Sequence, residues 1–363
     1  MPRLSPLVIR YPERRGLSAR GPIKEESVTT SLKLKKSGTV LAAALALVFA
    51  VPASADVRDT ITKTFQVEAG GKLTIESDIG SIKVGSAEGD SVRIEVVREA
   101  ETSSDKKAKD IFNDFVVDFE QRGKDVFVKA DYRHDGFGGF WDRVFNRLRV
   151  EFIVTVPRVY DTDLRTSGGS ISVDNVQGET RSKTSGGSLH FDLIAGNIWG
   201  RTSGGSIRIG EVRGEVDVHT SGGGIQIERT KGRILARTSG GSIRIENAGG
   251  EVDAHTSGGS ITVEEVLGAI KADTSGGSVT ATITQQPQSD CSLTTSGGGI
   301  TVYLAEEIAA DLNARSSGGR VTTEFPVTVQ GEIRKNEIQA KLNGGGPELY
   351  LRTSGGSVHI KKK

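Results

Sequence analysis

Apolar and polar positions fall into three regimes along this chain. Residues Val40 to Val51 are continuously apolar. From Asp56 to about Asp163 the sequence alternates in short runs: Phe65-Gln66-Val67, Leu73-Thr74-Ile75, Ile82-Lys83-Val84 and Val92-Arg93-Ile94-Glu95-Val96. A period of two is the pattern of half-buried strands. Val126-Phe127-Val128 and Arg149 to Val156, closed by Pro157, continue the set, and Asp110 to Phe119 predicts a short helix running into a strand. From Thr166 onward the alternation acquires a second, longer period. Thr-Ser-Gly-Gly-Ser-Ile or a close variant begins at Thr166, Thr184, Thr202, Thr220, Thr238, Thr256 and Thr274, each 18 residues apart, with looser copies at Thr295, Ser316 and Thr353.

A fixed period of this length predicts a solenoid, in which one coil cannot bury its apolar face alone and stacking supplies the core. In the coil from Thr256 to Asp273, Ile261, Val263, Val266 and Ile270 take apolar columns while Thr262, Glu264, Glu265 and Lys271 fall between them. Stacked at about 4.8 Å, Ile171, Leu189, Ile207, Ile225, Ile243 and Ile261 form one inward column. Thr256 shares the parity of Val252 and Ala254, so the threonines are expected to point inward at a corner. The paired glycines bend the chain there, and Gly178, Gly196, Gly214, Gly232, Gly250 and Gly268 mark a second turn. Each coil therefore carries at least two strands, and the spacing leaves a third side open. The predicted fold is an all-β, single-stranded parallel β-solenoid of about 18 residues per coil, right-handed by the general rule for parallel crossovers.

Residues 56–163 read as a strand-rich N-terminal cap, within which Ser77-Asp78-Ile79-Gly80-Ser81-Ile82 is a decayed copy of the motif. Residues 164–363 read as the repeats and an irregular C-terminal end. Gln285-Gln286-Pro287-Gln288 predicts an inserted loop, and Phe325-Pro326 with Leu342-Asn343-Gly344-Gly345-Gly346 a widened terminal coil. Val358-His359-Ile360 and the lysines 361 to 363 are expected to close the last edge with charge.

The continuous apolar run changes the picture of location. Lys33, Lys35 and Lys36 precede it and Ala53-Ser54-Ala55 follows, the pattern of a secretory signal peptide cleaved after Ala55. About 12 residues fall short of the roughly 20 that span a bilayer, so no membrane span is expected in the mature chain. Its N-terminal segment is long for a signal, and translation from near Val28 would shorten it. The chain is expected to be exported, periplasmic or extracellular. Without residues 1–55 it carries 38 basic and 43 acidic side chains, a net charge of about −5. That balance excludes a strongly basic nucleic-acid binder. A single cysteine, Cys291, excludes an intramolecular disulfide framework and a cysteine cluster for zinc, and reads as a small buried residue.

Candidate chemistry lies on the outward columns. Arg165, Lys183, Arg201, His219, Arg237 and His255 precede successive motifs, and Asp273 ends the series. Stacked, they form a basic stripe able to meet an acidic polymer, or a solvated face whose charges are offset by neighbours. Asp174, Asp192, Glu228, Glu246 and Glu264 form an acidic column able to pair with Arg208 and Arg244 or to take calcium. His219 and His255 stand two coils apart, near 10 Å, too far to share a metal. No phosphate loop, calcium nonapeptide or Gly-x-Ser-x-Gly elbow occurs, so no catalytic, cofactor or metal residues are assigned. In the cap, Phe137, Phe140, Trp141 and Phe145 sit in a glycine-rich segment. They either fold back over the first coil or anchor a partner.

The Thr-Ser-Gly-Gly-Ser-Ile repeat, following a signal peptide and a cap closed by Val154-Thr155-Val156-Pro157, resembles the bacterial putative-adhesin family. The resemblance covers nearly all of residues 56–363. It implies an exported, single-sheeted parallel β-solenoid with a binding or structural role at the cell envelope, and offers no catalytic residues to carry over. The expected function is non-enzymatic binding of a polysaccharide or an envelope protein. An enzyme acting on acidic polysaccharide needs its Asp, Lys and Arg gathered in one cleft, whereas the repeat spreads them evenly. A spacer or envelope-stress sensor is the remaining alternative.

Overall fold

The computed structural model describes residues 56–132, 148–329 and 334–363. The proposed signal peptide and the segment holding Phe137, Phe140, Trp141 and Phe145 lie outside the described residues. The alternating runs of the N-terminal region form β1 (Val57–Gln66), β2 (Gly71–Ser77), β3 (Ser81–Ala87) and β4 (Ser91–Ala100). Helix α1 (Asp105–Asp114) begins five residues before the expected Asp110 and leads, as expected, into a strand, β5 (Phe115–Arg122), and β6 (Asp125–Tyr132) and β7 (Leu148–Pro157) follow.

From here each motif corner separates two strands. The first such pair is β8 (Tyr160–Thr166) and β9 (Ile171–Asp174), followed by β10 (Thr180–Thr184) and β11 (Leu189–Asp192). Next come β12 (Ile198–Arg201) with β13 (Ile207–Val212), β14 (Val216–Thr220) with β15 (Ile225–Thr230), and β16 (Ile234–Thr238) with β17 (Ile243–Ala248). Then follow β18 (Val252–Thr256) with β19 (Ile261–Val266), β20 (Ile270–Thr274) with β21 (Val279–Ile283), and β22 (Cys291–Thr295) with β23 (Ile300–Leu304). The chain ends in β24 (Ala310–Ser316), β25 (Val321–Thr323), β26 (Thr328–Val329), β27 (Glu337–Leu342), β28 (Glu348–Thr353) and β29 (Val358–Lys362).

The strand before each corner joins one sheet and the strand after it joins the other. Among the described residues sheet 1 runs β1-β4-β7-β3-β9 and on through the odd strands to β29-β25, while sheet 2 runs β5-β6-β2-β8 and on through the even strands to β28-β24-β27-β26. Two sheets thus replace the single sheet implied by the resemblance, and a coil has two sides. Parallel pairing in the repeats holds the 18-residue register, with Thr184 opposite Thr166 and Ile207 opposite Leu189. Loops fall where proline and glycine clusters predicted them, residues 284–290 separating β21 from β22.

Sequence order is broken at both ends. The coil β2–β3 lies between β8–β9 and β6–β7, pairing Ser77 with Thr166 and Ile82 with Ile171. The decayed motif is therefore a true coil. Antiparallel β4, β1 and β5, with α1, finish this end. At the other end β28–β29, last in the chain, is inserted between β22–β23 and β24–β25. The expectation that Val358-His359-Ile360 closes the last edge is corrected: β29 is paired on both sides, and β25 is the outer strand. This coil is held by ladders on both of its sides.

Between the sheets lies one continuous apolar core. Ile171, Leu189, Ile207, Ile225, Ile243 and Ile261 are each at most 2% exposed, as the column pattern predicted. Cys291 is buried in the same core.

Candidate functional site

The motif itself is accounted for by the corner. Each threonine is buried, and its Oγ1 donates to the carbonyl of the second glycine in the preceding coil: Thr184 to Gly169 at 2.8 Å, Thr238 to Gly223 and Thr256 to Gly241 at 2.7 Å. The same oxygen accepts the N–H of its own coil's second glycine, Gly187 to Thr184 at 3.3 Å. That glycine has no room for a side chain, since a Cβ at Gly187 would stand 2.1 Å from the Gly169 oxygen. The second serine extends the ladder, the Ser188 N–H donating to Ser170 Oγ and the Ser278 N–H to Ser260 Oγ, both at 3.1 Å. Threonine, glycine and this serine are thereby committed to holding coil on coil.

Function must come from the outward columns. On sheet 2 the residues of the expected basic stripe do stand in one row: Arg165, Lys183, Arg201, His219, Arg237 and His255 are successive cross-strand partners, with Asp273 next. Much of the charge is locally offset. Arg165 pairs with Glu76 at 3.0 Å and Asp163 at 3.3 Å, Arg201 with Asp217 at 2.8 Å, Arg237 with Asp253 at 3.7 Å, and His255 Nδ1 with Asp273 at 3.0 Å. Lys183 and His219 have no side-chain partner among the described residues. Paired arginines at 165, 201 and 237 therefore recur every second coil, about 9.6 Å apart.

A residue outside the predicted stripe stands beside it. Trp199 points outward from sheet 2, half-buried, between Arg181 and Asp217. The Arg201 guanidinium lies 4.6 Å from its ring centroid and donates to the Gly200 and Asp217 carbonyls and to the Asp217 carboxylate. An indole held against a cation on a polar face is a preformed stacking surface. Period-two parity was the available signal, because Trp199 falls between the inward Ile198 and Gly200.

The acidic column lies on sheet 1. Arg244 pairs with Glu264 and, at 3.7 Å, with Glu246, while Arg208 has no carboxylate within ion-pair reach among the described residues. Asp174 and Asp192 are register partners, and Asp192 Oδ1 accepts the Leu193 N–H. No group of three or more metal-ligating side chains occurs among the described residues.

A hydroxyl meets an imidazole at Thr322 and His359 Nδ1, 2.8 Å apart, with no carboxylate bonded to the ring among the described residues. The Cys291 thiol is pushed up in pKa by burial, the opposite of an activated nucleophile. Among the described residues no helix is long and apolar enough to cross a membrane.

No curated protein matches the chain. Several solved structures are similar to it, among them three that each cover 84% of the chain. They are a putative cell adhesion protein from Clostridium sporogenes (16% identity, TM-score 0.20, all of that chain), a putative adhesin from Bacteroides fragilis (10%, 0.29, 97%) and a putative lipid binding protein from Parabacteroides distasonis (12%, 0.29, 97%). At such identities and scores no ligand transfers. The family model described as Toastrack DUF4097 matches residues 71–361, the span from the first parallel coil to the last strand, and the chain belongs to that family.

Proposed function

We propose that this is an exported, non-enzymatic binding protein of the bacterial cell envelope, whose sheet 2 face engages an anionic polymer such as an acidic polysaccharide. The observation that carries this reading is the patch of Lys183, Trp199, Arg201 and His219. Among the described residues Lys183 and His219 have no side-chain partner, and Arg201 lies over the indole. Sugars are recognised by stacking on aromatic rings and by donors to carboxylate or sulfate groups, and a straight row at fixed spacing suits a repeating ligand. The acidic mature chain argues for selective rather than general anion binding, with Lys183, Arg201 and His219 standing together in this row.

The test is a glycan array probed with the chain and with a Lys183→Ser/Arg201→Ser/Arg237→Ser variant, alongside Trp199→Ala. Binding of uronic-acid or sulfated glycans that weakens with salt, and that both variants lower at least tenfold with unchanged melting, is the expected result. Equal binding by all three proteins removes the site, and absence of any ligand leaves a spacer role in front. Cleavage of the polymer would overturn the non-enzymatic reading.

A further inference from the structure

The two ends of the molecule finish differently. At the C-terminal end the outermost strands β25 and β26 are three and two residues long, and the Val321 N–H is taken by the Lys335 carbonyl. At the N-terminal end sheet 1 finishes in β1, ten residues long. Beyond the coil β6–β7, among the described residues, sheet 1 adds two strands, β4 and β1, whereas sheet 2 adds the one strand β5, with α1 leading into it. The inner face of β1 consequently overhangs its cover, and Val57, Ile61 and Phe65 are only partly buried.

The hydrogen-bonding direction of β1 follows from its register. The Val67 N–H bonds to the Asp90 carbonyl, in line with Val57 opposite Ala100 and Phe65 opposite Val92. Odd-numbered residues of β1 thus exchange hydrogen bonds with β4, and the N–H and C=O groups of Arg58, Thr60, Thr62 and Thr64 face an edge that is open among the described residues. A long edge with unspent donors and acceptors is a template for one more strand.

We propose that a second copy of the chain supplies that strand, β1 pairing antiparallel with its counterpart about a two-fold axis at Ile61. In this register Ile61 meets the partner's Ile61, Val57 meets the partner's Phe65, and Asp59 meets the partner's Lys63. All of these lie on the inner face, so two half-covered apolar sets cover each other, and Lys63 of each copy approaches the partner's Asp59, which also holds Arg98 of its own β4. A slip of two residues either way sets Asp59 or Lys63 against Ile61 instead. The contact is isologous and closes on itself, so it yields a dimer and not a fibre.

Sedimentation equilibrium of the chain and two variants tests this. Thr62→Pro removes a donor from the open edge while leaving the β4 ladder intact. Ile61→Cys stands opposite itself at a non-hydrogen-bonded pair, where Cα atoms about 4.5 Å apart permit a disulfide. Expected are twice the monomer mass for the wild type, monomer mass for Thr62→Pro with an unchanged melting curve, and a covalent dimer on oxidation of Ile61→Cys but not of Thr64→Cys. A monomeric wild type at every concentration, or a dimer that Thr62→Pro leaves intact and Ile61→Cys fails to cross-link, overturns it. Should Thr62→Pro unfold, the cross-linking pair decides.

Discussion

Phe191 in sheet 1 and Gly200 in sheet 2 face each other across the core. A Cβ placed at Gly200 would stand 3.3 Å from Phe191 Cε2, and 3.2 Å from both Leu189 Cδ1 and Val218 Cγ1. The large ring, whose neighbours in its column are Val173 and Ile209, is accommodated by the missing side chain opposite. Gly200→Ala is therefore expected to overpack the core and cost about 1–2 kcal/mol in urea unfolding, and Phe191→Leu in the same chain to recover part of it through coupling. An alanine that leaves stability unchanged would show that the ring has slack.

Ser182 lies in the column beside Gly200, 1% exposed, and its Oγ has no hydrogen-bond partner. A buried hydroxyl left unpaired costs stability, so Ser182→Ala is expected to raise it by about 1 kcal/mol. A loss on denaturant titration would count against this.

The corner threonines make a sharper prediction. Thr238→Val keeps the volume but strips the Gly223 carbonyl of its donor and the Gly241 N–H of its acceptor. It should cost about 1–3 kcal/mol. Thr238→Ser should retain more of the stability, since Ser316 already makes the equivalent bond to Gly356 at 2.6 Å. Equal losses for the two variants would assign the column to packing alone.

Adjacent glycines of one motif should respond in opposite ways. At Gly169 a Cβ would stand 2.0 Å from the Gly80 oxygen, whereas at Gly168 nothing lies within 4 Å. Gly169→Ala is expected to cost more than about 4 kcal/mol and Gly168→Ala less than about 0.5 kcal/mol by thermal or urea unfolding. Tolerance at the first glycine should then fall along the stack, as the gap to the preceding coil narrows from 3.6 Å at Gly186 to 2.8 Å at Gly276 and 2.6 Å at Gly355. A similar response at Gly168 and Gly169 would contradict the corner geometry.

Tyr160 links stability to alkaline pH. Burial, with the Asp125 carboxylate nearby, raises its pKa to about 12, and its hydroxyl donates to the Lys124 carbonyl. The folded state favours the neutral phenol, so this contribution is complete below the unfolded value near 10 and is lost as pH rises toward 12. Tyr160→Phe should flatten the stability profile between about pH 10 and 12. A profile identical to wild type would place the alkaline loss elsewhere.

Much of the repeat was legible because each of its residues has one dominant local reason. Alternation fixed which residues face inward, and the parity of Thr256 with Ala254 put the threonine column at the corner, where its hydroxyl bonds lie. The stripe from Arg165 to His255 was legible as a row, since register repeats with the motif. Which of its members stay unpaired was not, because Asp217 and Asp253 reach Arg201 and Arg237 from the next coil. Trp199 escaped notice for a similar reason: its meaning comes from Arg201 lying over it, a contact between side chains.

The sequence by itself determined the 18-residue coil, the inward columns and the corner chemistry, because short-range alternation and glycine's lack of a side chain act within one coil. Only the tertiary structure decided that there are two sheets and that the chain order is broken at both ends. The β28–β29 coil sits inside β24–β25 because stacking rewards any coil with matching columns, whatever its place in the sequence. The full Thr353 motif makes the better inner layer, bonding to Gly298 through Thr353 and to Ser316 through Gly356. At the opposite end, the overhang of β1 was set by how many strands each sheet received, a count that no local pattern records.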